Sequence, residues 1–376
     1  MRAQNPIDEQ QGVNRVNAQW LTGPNRSHTR FGELPVFKEG LYRLGGRCYA
    51  WMVPNGSWGE TNIGLIDCGG KSVLIDTCWD LKFTREMLDG ASPIIKSSPI
   101  EYVVNTHSDG DHCWGNQLFP DREIIASNAC IHHMHHTTPT SMRALGISCS
   151  LLKSLPDSDI QKFGHYMSHM IKPYDFSHIK IVPANQGFTG QKTVSVNGVE
   201  IILTEVGPAH TDGDTIVYVP SQGVVYAADI LFIHATPVVW AGPVEKIIAS
   251  LNLLLGFKAD VFVPGHGPLS SRHDIQLLID YWTFIQDELY LRFQRDMTPY
   301  EAARDVVMSH SFQQSPFAGW DSPERIVTNA FNLYRQWGAK LPSLPGNLGI
   351  LNIMKQQAKL AFELPNATPR IMRRPD

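Results

Sequence analysis

Short apolar runs separated by Gly, Asn or Asp characterise the chain from Gly40 to about residue 126 and again from about residue 179, a pattern typical of strands and turns. Residues 62–67 and 72–76 form two such runs around Cys68-Gly69-Gly70-Lys71, which predicts a β-hairpin. Further strands are predicted at residues 101–104, 123–126, 179–182, 194–196, 200–204, 215–219, 224–227 and 261–263.

Helical spacing of apolar residues takes over elsewhere. It predicts helices at residues 80–88 and 244–257 and almost throughout the chain beyond Ser270, with candidates at 275–293, 301–309, 323–337 and 348–362. The segment of about residues 127–174 is rich in His, Met, Leu and Ser, has helical spacing and shows no strand pattern. Because strands come in runs with helices between and after them, we expect an α+β fold of layered sheets flanked by helices.

Changes in pattern also suggest domain boundaries. The first thirty-odd residues are polar with little periodicity, which favours a loosely ordered arm. We therefore expect an N-terminal arm at residues 1–39, a core domain at 40–270 with a helical insertion at about 127–174, and a helical C-terminal extension at 271–376 packed on the core.

Composition narrows the classes of function. The 376 residues are enough for a substantial core, and the net charge of −4 without a long basic run argues against nucleic acid as a partner. No apolar stretch approaches the ~20 residues of a membrane span, and the start of the chain lacks the apolar segment of a secretory signal, so we expect a cytoplasmic protein that does not bind membranes. The six cysteines show no CxxC pair and are expected to be reduced, mostly buried thiols.

Candidate metal ligands concentrate in the run from His107 to His112, which holds two histidines and two aspartates directly after the apolar run 100–105. Loops at strand ends are where rigid scaffolds present functional groups. Three later segments also place a His or Asp at or just after the end of an apolar run, at His210, Asp229 and His266, and Asp76 closes an earlier run in the same way. Imidazole and carboxylate together suit zinc, iron or manganese.

The order Asp76, His107-x-Asp109-x-Asp111-His112, His210, Asp229 and His266 resembles the metallo-β-lactamase-fold hydrolases, over roughly Gly40 to Pro268. The resemblance implies a four-layer αββα sandwich with a dinuclear metal site at one edge, between the two sheets. It further implies that His107, Asp109 and His210 hold one ion, that Asp111, His112 and His266 hold the other, that Asp229 bridges the two, and that Asp76 orients the ligands.

Asp109 departs from the family pattern, which usually has His at this position. Three ligating carboxylates would neutralise more of the metal charge, so bound water would be acidified less than in a His-rich site. Oxygen ligands also shift the preference toward iron or manganese. We expect two divalent ions, with zinc favoured and iron or manganese as alternatives.

These features predict a metal-dependent hydrolase in which a metal-bound hydroxide attacks an electrophilic carbon, with Asp111 or solvent as the proton acceptor. The substrate is expected to be a small, largely apolar ester, lactone, amide, thioester or aryl halide, because Trp79, Phe232 and Trp240 lie close in sequence to the motif ends and would line an apolar pocket. A dinuclear iron oxidase or oxygenase, suggested by Asp109, and a non-catalytic metal-binding protein are the alternatives. The expected partner is a small molecule, with a homodimer as a further option.

The histidines of the run from His132 to His136 form a second cluster, in which His132 shares a helical face with His135 and His136. Two interpretations stay open, namely a structural or interfacial metal site and solvated or packed histidines.

Overall fold

The computed structural model describes residues 16–156, 158–341, 348–364 and 370–374. The first sheet has eight strands in chain order, β1 (Gln19–Thr22), β2 (Gly40–Gly45), β3 (Cys48–Met52), β4 (Ile63–Asp67), β5 (Ser72–Ile75), β6 (Ile100–Val104), β7 (Glu123–Ser127) and β8 (Gln186–Phe188). Strands β1 to β5 pair antiparallel, including the predicted hairpin, and β5 to β8 pair parallel.

The second sheet has the order β13-β12-β11-β10-β9, with β9 (Gln191–Val196), β10 (Val199–Glu205), β11 (Thr215–Val219), β12 (Val224–Phe232) and β13 (Val261–His266). All its pairs are antiparallel except β12 with β13. Both of these strands are buried along their whole length, which explains their nearly continuous apolar sequence.

Helices cover the outer faces of both sheets. Those before residue 260 are α1 (Leu81–Gly90), α2 (Ser92–Ile95), α3 (Gly110–Cys113), α4 (Asn128–His133), α5 (Pro139–Leu152), α6 (Ser158–Ile171) and α7 (Val244–Gly256). The later ones are α8 (Arg272–Phe293), α9 (Pro299–Met308), α10 (His310–Gln313), α11 (Ile326–Gln336) and α12 (Leu348–Glu363). None of the helices in the described ranges is both long and apolar enough to cross a membrane.

Three buried clusters account for the layering. One lies between the sheets and joins Ile75 and Val104 of the first to Val217 and Tyr226 of the second. Another lies between the first sheet, α1 and the insertion helices α5 and α6, and the third between the second sheet, α7 and the C-terminal helices. The expected αββα sandwich with a helical insertion and a helical extension is therefore present.

Strands β2, β3 and β8 are additional to those predicted individually, and two segments contradict the sequence-based prediction. Residues 179–182 form no strand, because side chains take the place of a neighbouring strand. Lys180 N donates to the side chain of Gln117 (2.5 Å), and the side chain of Asn116 donates to Val182 O (3.0 Å). The predicted arm is not loosely ordered over its described part, since β1 pairs with β2 and both Val16 and Phe37 are buried. Residues 1–15 of that arm lie outside the described residues.

A buried hydrogen-bond chain joins the insertion to the C-terminal helices. Tyr166 of α6 donates its hydroxyl to Glu324 Oε1 (2.7 Å), and Gln357 of α12 donates to Tyr166 Oη (2.8 Å). Burial raises the pKa of Glu324 to about 8, although the neighbouring Arg325 acts to lower it.

Replacing Glu324 by Gln should make stability less dependent on pH. In the wild type the folded protein keeps a proton on Glu324 that the unfolded chain loses above about 4.5. The stabilising contribution is therefore complete below that pH and disappears as the pH rises to about 8. We expect the urea-unfolding free energy of the wild type to fall more from pH 5 to pH 8 than that of Glu324→Gln, with exposed Glu200→Gln as the control. Equal pH slopes in all three proteins would contradict the assignment.

Candidate metal centre

The loop after β6 is fixed by Asp76, which lies at the end of β5 in the left-handed backbone region (φ 63°). Its carboxylate accepts hydrogen bonds from Thr106 N (2.8 Å) and Thr106 Oγ1 (2.7 Å) and contacts His112 Nδ1 at 2.9 Å. One aspartate therefore ties the start of the loop to the imidazole at its end, where sequence analysis placed an orienting residue.

The second sheet supplies the remaining groups from a loop, from within a strand and from a strand end. His210 follows β10, Asp229 lies within β12 and His266 ends β13. The pairing of β12 with β13 is irregular around Ala228, which also has a left-handed backbone (φ 44°). This local distortion places the neighbouring Asp229 in the site at the edge of both sheets.

Asp229 is the centre of the cluster. Its carboxylate lies 3.3 Å from His112 Nε2, 3.3 Å from His210 Nε2, 3.4 Å from His266 Nε2 and 3.8 Å from His107 Nε2. The structure thus brings together four imidazoles whose sequence positions span residues 107 to 266.

The remaining aspartates each join one side of this cluster. Asp111 Oδ2 lies 3.8 Å from His112 Nε2 and 3.6 Å from His266 Nε2, while Asp109 Oδ2 lies 3.4 Å from His210 Nε2 and 3.9 Å from His107 Nε2. Asp109 reaches the cluster despite its short side chain, although that side chain is 40% exposed.

Two groups of three ligand atoms are close enough to share an ion each. They are His107, His210 and Asp229, and Asp111, His112 and His266. Ligand atoms about 2.0–2.2 Å from a tetrahedral ion lie about 3.3–3.6 Å apart, close to the spacings observed. His107 Nε2, His112 Nε2 and Asp229 Oδ1 are buried without a hydrogen-bond partner in the described protein, so this donor set fits a pair of divalent ions.

The other imidazole nitrogens are held by the scaffold. His210 Nδ1 contacts Val238 O (2.7 Å), His266 Nδ1 contacts Glu60 O (3.2 Å), and His107 Nδ1 contacts Thr106 Oγ1 (3.1 Å). A partner at Nδ1 fixes the ring orientation and leaves Nε2 for the metal.

Burial and the neighbouring charges shift the pKa values of these groups in different directions. Burial lowers the pKa of His107 to about 3. Burial also acts to lower the pKa of His210, but the hydrogen bond to Asp109 and the neighbouring carboxylates outweigh it and raise the pKa to about 9. Burial would raise the pKa of Asp229, and the surrounding imidazoles hold it well below its usual range. Asp229 is therefore available as an anionic ligand.

The ligand groups lie in the wall of a cavity of about 820 Å³. Its apolar wall includes the three residues predicted from sequence, Trp79, Phe232 and Trp240, together with Trp58, Met142, Met167 and Met354. Phe232 stacks on the His266 ring, with ring centroids 5.2 Å apart. The insertion thus forms part of the cavity wall through Met142 and Met167, and α12 adds Met354, which the sequence alone did not indicate.

The histidine-rich run contributes to the same cavity. His133 and His136 line it with ring centroids 4.2 Å apart, and His133 Nδ1 lies 3.5 Å from Asp212 Oδ2. Within the described chain, these histidines are not in either group whose ligand atoms could share an ion.

All six cysteines are buried and free, as expected from their spacing.

Three side chains along one face of α11 hold the loop that orients His210. Asn329, Asn332 and Gln336 donate hydrogen bonds to the carbonyls of residues 237, 240 and 242. Asn329 Oδ1 also accepts from Val239 N (3.0 Å), next to the Val238 carbonyl that contacts His210. Sequence reasoning missed these residues, although their spacing of three and four marks one polar helical face.

A family model described as the metallo-beta-lactamase superfamily matches residues 56–266, more than half of the chain. The chain belongs to the metallo-beta-lactamase superfamily. The family and fold predicted from the ligand motif are confirmed, and with them the expectation of a hydrolase-type enzyme of this superfamily. Members of this superfamily typically bind divalent metals, which agrees with the two ligand groups.

Curated relatives extend the comparison. The chain is 31% identical over 221 residues to the 2,4-dinitroanisole O-demethylase subunit alpha of Nocardioides sp. (strain JS1661), with 56% of this chain and 53% of that protein covered. It is 22% identical over 270 residues to the linear primary-alkylsulfatase of Pseudomonas sp. (strain ATCC 19151), covering 64% and 49%. The chain spans about half the length of the curated relatives it matches.

The solved structure of the stereoselective inverting sec-alkylsulfatase Pisa1 from Pseudomonas sp. is similar in fold. It superimposes with a TM-score of 0.58 at 18% identity and covers 85% of this chain and 53% of that chain. At this identity the likeness concerns the fold alone.

Replacing Gly265 by Ala should disrupt the centre. A Cβ at Gly265 would lie 1.8 Å from Asp229 Oδ1, so the carboxylate would have to move away from the imidazoles. We expect elemental analysis to show at least one bound ion fewer per chain than in the wild type. Gly256→Ala is the control, because a Cβ there meets nothing within 4 Å. Unchanged metal content in Gly265→Ala would contradict the central role of Asp229.

Replacing Asn329 by Ala should weaken metal binding without removing a ligand. Loss of both loop hydrogen bonds frees the Val238 carbonyl, and changes at such supporting groups typically cost about 10- to 100-fold in metal affinity. Competition titration with a chromophoric chelator measures this loss. Asn252→Ala, which removes an exposed side chain bonded to its own helix at Ile248 O, should retain wild-type affinity. If both variants bind metal like the wild type, the loop does not position His210.

Proposed function

We propose that this protein is a metal-dependent hydrolase that breaks a carbon–heteroatom bond of a small, largely apolar ester or ether by attack of water at an electrophilic carbon. The observation that carries the proposal is the presence of two three-ligand groups in the wall of an 820 Å³ cavity with mostly apolar surroundings. Cavities of this size suit drug-sized substrates.

The ligand assignments from sequence remain part of this proposal. His107, Asp109 and His210 would hold one ion, Asp111, His112 and His266 the other, and Asp229 would lie between them. Two divalent ions, with zinc favoured, would lower the pKa of water and polarise the substrate. Asp76 would keep its orienting role through its contacts with Thr106 and His112.

Asp111 is the residue best placed to accept a proton from water. It lines the cavity, and Thr61 Oγ1 donates to its Oδ2 at 2.8 Å, which fixes the carboxylate. The apolar rings of Trp79, Phe232 and Trp240 would hold the substrate and exclude bulk water from the reacting bond.

The relatives support an oxygen-linked substrate with an apolar part. One is named for the O-demethylation of 2,4-dinitroanisole, an aromatic methyl ether, and the other for linear primary alkyl sulfates. Both names denote an apolar group joined to the rest of the molecule through oxygen. We extend only that shared chemistry to this chain.

The test is a panel of aryl esters, lactones, thioesters, aryl methyl ethers, alkyl sulfates, β-lactams and aryl halides, assayed with zinc, manganese and iron. We expect hydrolysis of an ester or ether, with ¹⁸O from labelled water recovered on the attacked carbon. His266→Ala should lower kcat/KM by at least about 100-fold and lower the metal content. His135→Ala, an exposed histidine outside the cavity, is the control. No turnover with any metal, or full metal loading of His266→Ala, would overturn the proposal.

The second candidate is a dinuclear iron oxidase or oxygenase, favoured by the approach of Asp109 to His107 and His210. The same preparations separate the two. Two zinc ions without visible absorption favour hydrolysis, whereas iron with a charge-transfer band and oxygen consumption favours redox chemistry.

A further inference from the structure

Arg325 lies in the wall of the metal-lined cavity, just before α11 begins. Its side chain is buried, with a relative exposure of 2%. Within the described residues, the side chain makes one hydrogen bond, from Nη1 to Thr236 O at 3.3 Å. Its Nε is buried and has no hydrogen-bond partner among these residues.

No carboxylate within the described residues forms a salt bridge with this guanidinium. The adjacent Glu324 receives the Tyr166 hydroxyl, and burial raises its pKa to about 8, which favours its neutral form. Asp321 instead accepts hydrogen bonds from Arg370 N (3.0 Å) and Ser322 Oγ (2.9 Å). Arg325 is therefore a buried cation that is poorly compensated by the protein itself, which is costly unless a ligand supplies an anion.

The cavity around Arg325 has a matching shape and charge. Met167 and Met354 are apolar residues of the cavity wall. Their helices also carry Tyr166 and Gln357, which form the hydrogen-bond chain to Glu324 next to Arg325. A second cation, the exposed Arg335, lines the same cavity. Three of its four acidic residues are the candidate metal ligands Asp109, Asp111 and Asp229, whose charge bound ions would neutralise. Two arginines would then face the single remaining carboxylate, that of Asp212.

We propose that Arg325 is an anion-recognition residue that binds a carboxylate-like oxyanion carried by an otherwise apolar substrate, away from the bond that reacts. The proposal rests on the proposed function for the identity of the site, but ligand binding tests it separately. It narrows the small, largely apolar substrate of the proposed function to an amphipathic anion. A guanidinium offers planar paired donors that match a carboxylate.

The binding experiment compares octanoate with octan-1-ol on the metal-loaded protein by calorimetry. We expect the wild type to bind octanoate at least about tenfold more tightly, as is typical of a charge-assisted hydrogen bond. Arg325→Met should lose this preference, Arg325→Lys should keep part of it, and octan-1-ol should bind all three proteins alike. Arg295→Met removes an exposed arginine of the same helical extension and should behave like the wild type.

Two results would overturn the proposal. One is equal binding of octanoate and octan-1-ol by the wild type. The other is unchanged octanoate binding in Arg325→Met, and a loss of binding in His266→Ala would then show that octanoate binds to the metals only. Arg325→Gln replaces Arg325→Met if that variant does not fold, as judged by circular dichroism.

A kinetic experiment adds the link to turnover. For 4-acetoxybenzoate and phenyl acetate, Arg325→Met should raise KM about tenfold or more for the charged ester alone. An equal effect on both esters would overturn the recognition role. If neither ester is hydrolysed by the wild type, the proposed function fails, while the binding result still decides the role of Arg325.

Discussion

The contact between one carboxylate and four imidazoles is the constraint on which the site depends. Asp229 lies within 3.8 Å of the Nε2 atoms of His107, His112, His210 and His266. The carboxylate and the four imidazoles are buried. Polar atoms buried this close together cost free energy unless a proton or a metal ion lies between the carboxylate oxygens and the ring nitrogens. The surrounding scaffold must therefore hold the rings against rearrangement.

The scaffold meets this requirement by drawing on both sheets. The first sheet fixes the loop after β6 through Asp76, and the second sheet presents the other groups in a distorted strand, at a strand end and in the loop after β10. Backbone carbonyls from residues 60 and 238 orient His266 and His210 from outside. Because the anchors belong to different layers, the packing between the sheets and the geometry of the site are linked.

Local sequence was informative where the chemistry is carried by short segments. The run from His107 to His112 and the residues His210, Asp229 and His266 were recognisable because each comes at or just after the end of an apolar run. The strand predicted at residues 179–182 was wrong, because an apolar run indicates burial but not whether a neighbouring strand accepts its hydrogen bonds. Gln19–Thr22 was missed because an edge strand can be polar. The close approach of Gly265 to Asp229 depends on two strands far apart in sequence, so no local pattern predicts it.

The polar face of α11 has a consequence for how such a protein can diversify. Its side chains set the path of residues 237–242 by binding carbonyls of that segment, while the ligands themselves remain on the sandwich. The helical extension therefore acts as a template for the wall of the cavity. Replacing that helix by one with different polar spacing would reshape the cavity and leave the metal-binding residues unchanged. New substrate preferences can therefore arise in a part of the chain outside the segment that matches the family.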